Sequence, residues 1–188
     1  FFPLKGVLER DCGMNADILK SVRSIHMIAC GTAYHACLVG KYWLETLVGI
    51  PVHVETASEF RYRETTVNKD DLVIAVSQSG ETADTLAAVK LAREKGAKIL
   101  AICNTVGAGL TRAADWTLYS HCGPELGVAS TKAFIGQLTA LAVITLHAAI
   151  GRGAMTEAQG RAFVEELVKV PGWIRAALTL DKQIQAIA

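Results

Sequence analysis

Leu72-Val73-Ile74-Ala75-Val76 leads without interruption into Ser77-Gln78-Ser79-Gly80-Glu81-Thr82. The apolar run reads as a strand. From Glu81 to Lys95 the spacing becomes helical, with Ala83, Leu86, Ala87 and Leu91 on one face at i, i+3, i+4 and i+8. Gly96 is placed to end that helix. A strand, a short polar turn and a helix in this order mark a βα unit, and the rest of the chain repeats the alternation.

Upstream, Ile25 to Ala29 reads as a first strand. Ala33 to Leu47 reads as a helix closed by Gly49 and stopped at Pro51, and Val52 to Thr56 as a second strand. Downstream, Ile99 to Ile102 and Trp116 to Tyr119 read as the fourth and fifth strands. Such alternation predicts right-handed crossovers and an α/β fold, a parallel sheet with helices on both faces. The apolar stretch from Ala133 to Ile150 is interrupted by Gln137, Thr139, Thr145 and His147. It reads as a helix buried on most sides, of the kind found in a core or a subunit interface, rather than a membrane span.

After Gly153 the pattern is helical only. Thr156 is placed to cap a helix running to about Val170, where Pro171-Gly172 is expected to break it. Trp173 to Ala188 reads as helix again, without a stop signal, as in a piece of a longer chain. The expected division is a linker and helix over 1–23, a domain over 24–153, and a helical tail over 154–188.

The 188 residues suit one domain, or one with an appended piece, and a 51% hydrophobic composition supplies its core. Lys and Arg number 19 against 18 Asp and Glu. That balance argues against broad electrostatic binding of nucleic acid or of an anionic membrane. Five cysteines are present without a C-x-x-C pair or a zinc-like Cys/His spacing. They read as reduced thiols, which points to the cytoplasm. The first residues carry no signal-peptide pattern. No metal or cofactor is expected.

In an open α/β sheet, ligands bind beyond the carboxyl ends of the strands. Three polar loops fall there. The first is Cys30-Gly31-Thr32-Ala33, the second Ser77 to Thr82, and the third Glu125 to Lys132. A helix N-terminus offers free N–H groups and partial positive charge. The hydroxyls of Ser77, Ser79 and Thr82 add donors, and Gly80 permits a tight turn. An anion such as phosphate can be held this way without Lys or Arg. The plainer reading is that Ser79 caps its helix, and Ser130 or Thr131 the next one. No G-x-x-x-x-G-K-[ST] occurs, and no G-x-G-x-x-G follows a strand, which disfavours nucleotide and dinucleotide binding.

The stretches CGTAYHA from Cys30, ETASEFRYR from Glu55, SQSGETADTL from Ser77, AICN from Ala101 and ELGVASTKAF from Glu125 resemble the sugar isomerase (SIS) domain family. ASEFRYR together with GVASTKAF resembles, more narrowly, the isomerase part of glucosamine-6-phosphate synthases. The resemblance implies a flavodoxin-like α/β fold and the first of two SIS domains. It further implies that Cys30, Gly31, Thr32, Ser77, Gln78, Ser79 and Thr82 bind a sugar phosphate, with Val128 and Ser130 from the third loop. Gly80 and Ala129 complete the set. Ala33 stands where the family commonly has Ser, so one hydroxyl is missing, but its N–H remains.

Fructose 6-phosphate, glucose 6-phosphate and glucosamine 6-phosphate are the implied ligands. A glutaminase domain, a second SIS domain and a homodimer are the implied partners. Lysines for Schiff-base formation and most acid–base groups are implied to lie outside this chain, with Glu125 the one catalytic candidate within it. Two rival functions are a regulatory phosphosugar-sensing module and a stand-alone aldose–ketose isomerase, and the ELGVASTKAF stretch argues against both. Cys30 suits a backbone and packing role better than a nucleophile. His35, His53, His121, His147 and Lys132 read as structural. Arg61 and Arg63 read as ion-pair or subunit-contact residues.

Overall fold

The computed structural model describes residues 7–15, 17–127 and 130–187. Two short helices, α1 (Val7–Cys12) and α2 (Asp17–Ser21), precede the sheet. Then follow β1 (Ile25–Ala29), α3 (Thr32–Val48), β2 (Val52–Thr56), α4 (Ala57–Phe60), β3 (Leu72–Ser77) and α5 (Ala83–Glu94). The series continues with β4 (Lys98–Cys103), α6 (Gly109–Ala113), β5 (Trp116–Tyr119) and α7 (Lys132–Gly151). The strands are parallel in the order β2-β1-β3-β4-β5, the flavodoxin-like arrangement.

Every residue of β1 and of β3 is buried. Such continuous apolar runs belong to strands covered on both faces. The side chains alternate accordingly. Leu72, Ile74 and Val76 of β3 join Leu100 and Ile102 of β4 in one core, with residues of α1, α2, α3 and α7. Val73, Ala75, Ile99 and Ala101 face the other core, with α4, α5 and α6. Helix α7 is long and apolar enough to cross a membrane, yet most of it is buried within the protein. It is the core helix that packs along α3, where Gly40 lets Leu141 approach. A Cβ at Gly40 would lie 3.1 Å from Leu141 Cδ1.

The α1–α2 segment is part of this core through Leu8, Met14 and Leu19. Arg152, just after α7, donates from Nη1 to the carbonyl oxygens of Leu19 and Val22 at 2.9 and 3.1 Å. The chain up to Met155 thus forms one compact unit and Thr156 onward a second.

The second unit holds α8 (Glu157–Leu178) and α9 (Asp181–Ile187). Thr156 caps α8 as expected, in a reciprocal box with Gln159. The expected break at Pro171-Gly172 does not occur, since α8 runs through Pro171 to Leu178. Proline deletes one bond of the ladder and strains the preceding turn. It does not stop a helix that is well nucleated upstream and continued by helix-compatible residues downstream.

Candidate functional site

Ala29 of β1 is in register with Val76 of β3, so the loops that follow these two strands emerge side by side. The chain leaves β1 for α3 on one face of the sheet and leaves β3 for α5 on the other. This is the topological switch point, where the two loops diverge and open a crevice. A cavity of about 210 Å³ lies there. It is smaller than the roughly 300–1,000 Å³ of pockets for drug-sized ligands, a size suited to a phosphate with a few attached carbons.

The first loop lines the cavity with Cys30, Gly31, Thr32 and Ala33. Gly31 is the N-cap of α3 at φ 60°, ψ −136°, a conformation that excludes most side chains, and no side chain caps the helix. The Thr85 hydroxyl faces the Cys30 sulfur at 3.9 Å, a contact with no base in it.

The second loop contributes Ser77, Gln78, Ser79 and Thr82. Ser77 Oγ accepts from the Gly80 N–H at 3.0 Å, and Ser79 Oγ accepts from the Glu81 N–H at 3.2 Å. Both serines receive with a lone pair, so both hydroxyl hydrogens remain free to donate. These bonds delay the helix. Where the sequence suggests a start at Glu81, α5 begins at Ala83, with Thr82 as an extended N-cap that makes no side-chain cap bond. Ser79 is therefore not the cap of α5, and the first amides of that helix have no side chain closing them.

Gly80 does not line the cavity, contrary to its expected place against the anion. It sits at φ +69°, where an added Cβ would lie 2.6 Å from Ala108 Cβ and 2.7 Å from Cys103 Sγ. Its carbonyl accepts from the Leu110 N–H at 2.9 Å. Its work is to press the loop against α6. Glu81 secures the same junction by accepting from the Gly109 N–H.

The third loop places Glu125, Gly127 and Ser130 on the cavity. Val128 and Ala129 lie outside the described residues. Ser130 Oγ donates to Glu125 Oε2 at 2.7 Å, while Glu125 Oε1 accepts the N–H groups of Thr131 and Lys132 at 2.8 and 3.0 Å. The N-cap residue Thr131 makes no side-chain cap bond, so the Glu125 carboxylate closes α7 in its place. The Ser130 hydroxyl and these backbone N–H groups hold the Glu125 carboxyl below the usual carboxylate range. A carboxylate so well supplied with donors is an anion that orients its neighbours and a poor proton donor at neutral pH.

Val76, Thr85, Gly127 and Gln137 also line the cavity and were not singled out from sequence. No Lys or Arg is among the described lining residues. Arg61 pairs with Asp84 at 2.6 Å, and Arg63 forks onto both oxygens of Glu55. His53 stacks on His26, and His147 Nδ1 meets the Val143 carbonyl within α7.

Residues 18–147 match the SIS domain family. The chain is 49% identical over 174 residues to a glutamine–fructose-6-phosphate aminotransferase [isomerizing] of Pseudomonas syringae pv. tomato, covering 92% of this chain and 28% of that protein. A relative of the same name from Leifsonia xyli subsp. xyli is 50% identical, covering 89% of this chain and 27% of the relative. The chain thus spans little more than a quarter of the curated relatives it matches. Among solved structures, the C-terminal domain of glucosamine-fructose-6-phosphate aminotransferase from Francisella tularensis superposes with a TM-score of 0.88 at 39% identity. That match covers 92% of this chain and 48% of the other.

Proposed function

We propose, because this chain belongs to the SIS domain family, that the cavity at the β1/β3 edge binds the phosphate of a sugar phosphate. The observation that carries the reading is the donor set: the hydroxyls of Ser77, Ser79, Thr82 and Thr32 and the uncapped N-termini of α3 and α5 line one cavity. Amide groups and helix dipoles are suited to an anion, and phosphate at a helix N-terminus is a recurrent arrangement. Fructose 6-phosphate, glucose 6-phosphate and glucosamine 6-phosphate are the ligands of this reading.

The chain would act as the first SIS domain of a glucosamine-6-phosphate synthase. The parent reaction turns fructose 6-phosphate and glutamine into glucosamine 6-phosphate and glutamate. The identity to a glutamine–fructose-6-phosphate aminotransferase [isomerizing], sustained over 92% of the chain, favours it over a sensor module or a stand-alone isomerase. The part played here is anchoring. A fixed phosphate orients the open-chain sugar toward groups supplied by a second SIS domain, and orientation lowers the barrier without chemistry of its own. A glutaminase domain, a homodimeric assembly and a cytoplasmic setting complete the proposal, the last supported by five free thiols.

Calorimetry with fructose 6-phosphate, glucosamine 6-phosphate and fructose tests the reading. Binding of both phosphates and not of fructose is expected. Equal affinity for fructose and its 6-phosphate would overturn it.

A further inference from the structure

Gln137 lies on the inward face of α7 and is 2% exposed, among Ala133, Ala140, Leu141 and Ile144. Its Oε1 has no hydrogen-bond partner among the described residues. The residue also lines the cavity at the β1/β3 edge. A buried amide oxygen without a donor destabilises a fold, and an apolar residue would suit this helix face better. The other buried polar side chains of α7 behave differently. Thr145 and His147 turn back to the carbonyl oxygens of Leu141 and Val143.

An unpartnered carbonyl-type oxygen repels a phosphate dianion and attracts a hydroxyl hydrogen. Ser130 has the same polarity toward a ligand, because its own hydrogen is committed to Glu125 at 2.7 Å. The cavity therefore has two chemical walls. Ser77, Ser79 and Thr82 offer hydroxyl hydrogens, whereas Ser130 and Glu125 accept, and the Gln137 amide beside them can both accept and donate, as a sugar hydroxyl can. A phosphate suits the first wall and a hydroxylated carbon chain suits the second.

We infer that Gln137 reads a hydroxyl group of the bound sugar, its side-chain amide pairing with that hydroxyl, and so sets the preference for sugar phosphates over phosphate alone. The role rests on the sugar-phosphate reading of the cavity. It makes Gln137 a specificity-determining residue at a position where the fold alone would favour Leu or Met.

The test compares the wild-type chain with Gln137→Met, which keeps length and removes the amide, and with Gln137→Leu as a second apolar variant. Affinities for inorganic phosphate and fructose 6-phosphate are measured by calorimetry, with thermal melting alongside. Both variants are expected to bind inorganic phosphate within about twofold of wild type and to melt no lower. Fructose 6-phosphate should weaken by about threefold to tenfold, the span of one neutral hydrogen bond. If wild type prefers fructose 6-phosphate and the variants keep that preference, the inference fails and the sugar-phosphate reading stands. If wild type binds phosphate and fructose 6-phosphate equally, both fail. Variants that lose both ligands together, or melt lower, would make Gln137 a structural residue and overturn its reading role.

Discussion

Gly80 shows how one residue without a side chain shapes a site it does not touch. Its φ of +69° and the 2.6 Å approach to Ala108 Cβ leave no space for a methyl group. Gly80→Ala is expected to destabilise the chain by about 2–4 kcal/mol, from left-handed backbone strain and overpacking, seen as a lower denaturant midpoint. Ser79 and Thr82 should act oppositely. Ser79→Ala combined with Thr82→Val is expected to weaken fructose 6-phosphate binding by about a hundredfold or more, the loss of two hydrogen bonds to a charged group. The fold should persist, because neither hydroxyl caps α5. Unchanged affinity in calorimetry would show that these hydroxyls hold no anion. Asp71 is the structural counterpart. Burial pushes its carboxyl up, but bonds from Ser24, Arg23 and the Asn68 N–H outweigh this and leave it lowered. Asp71→Asn should therefore cost about 2–3 kcal/mol in equilibrium unfolding. The hydroxyls of Ser77, Ser79 and Thr82 were legible in the sequence because they sit between an apolar run and a helical one. Gln137 was not, since in sequence it only interrupts an apolar helix. Its meaning needs α7 laid against the loops after β1 and β3.

Strands were the most legible elements, because burial on both faces leaves continuous apolar runs with little ambiguity. Helix ends were less so, because side-chain bonding decides them. The Ser77 and Ser79 turns shift the start of α5 to Ala83, and Glu125 replaces the nearer Thr131 as the cap of α7. Neither could be read from spacing, since Glu125 reaches across a loop. Its carboxyl is lowered in the folded chain, so its stabilising effect is present above the ordinary carboxylate range and is lost as pH falls through the folded value. Glu125→Gln is expected to melt lower than wild type at neutral pH, with the gap closing as pH drops below about 4. A gap that stays constant in scanning calorimetry down to about pH 3 would show that the carboxylate charge does not hold the helix. Pro171 was misread for the opposite reason, since a strong local signal was overridden by the helix on either side of it.

The molecule divides at Met155, and the described residues that line the cavity all precede that point. A chain ending at Met155 is expected to stay folded and to bind fructose 6-phosphate with the affinity of the longer one. Loss of the melting transition would show that the second unit is needed for folding. The second unit exposes Val168, Trp173, Leu178 and Ile184, each more than half exposed. Its removal should also lower self-association in light scattering, since large exposed apolar patches are adhesive. The absence of lysine and arginine from the described cavity lining has a kinetic side. Neutral dipoles hold an anion at close range, but their field fades faster with distance than that of a full charge. The one full charge among the described lining residues is the Glu125 carboxylate, so the incoming sugar phosphate is not drawn from afar, and its association rate should not fall as ionic strength rises, unlike capture by a basic cleft. On the proposed reading, discrimination would follow arrival, in the fit of hydroxyls and amides.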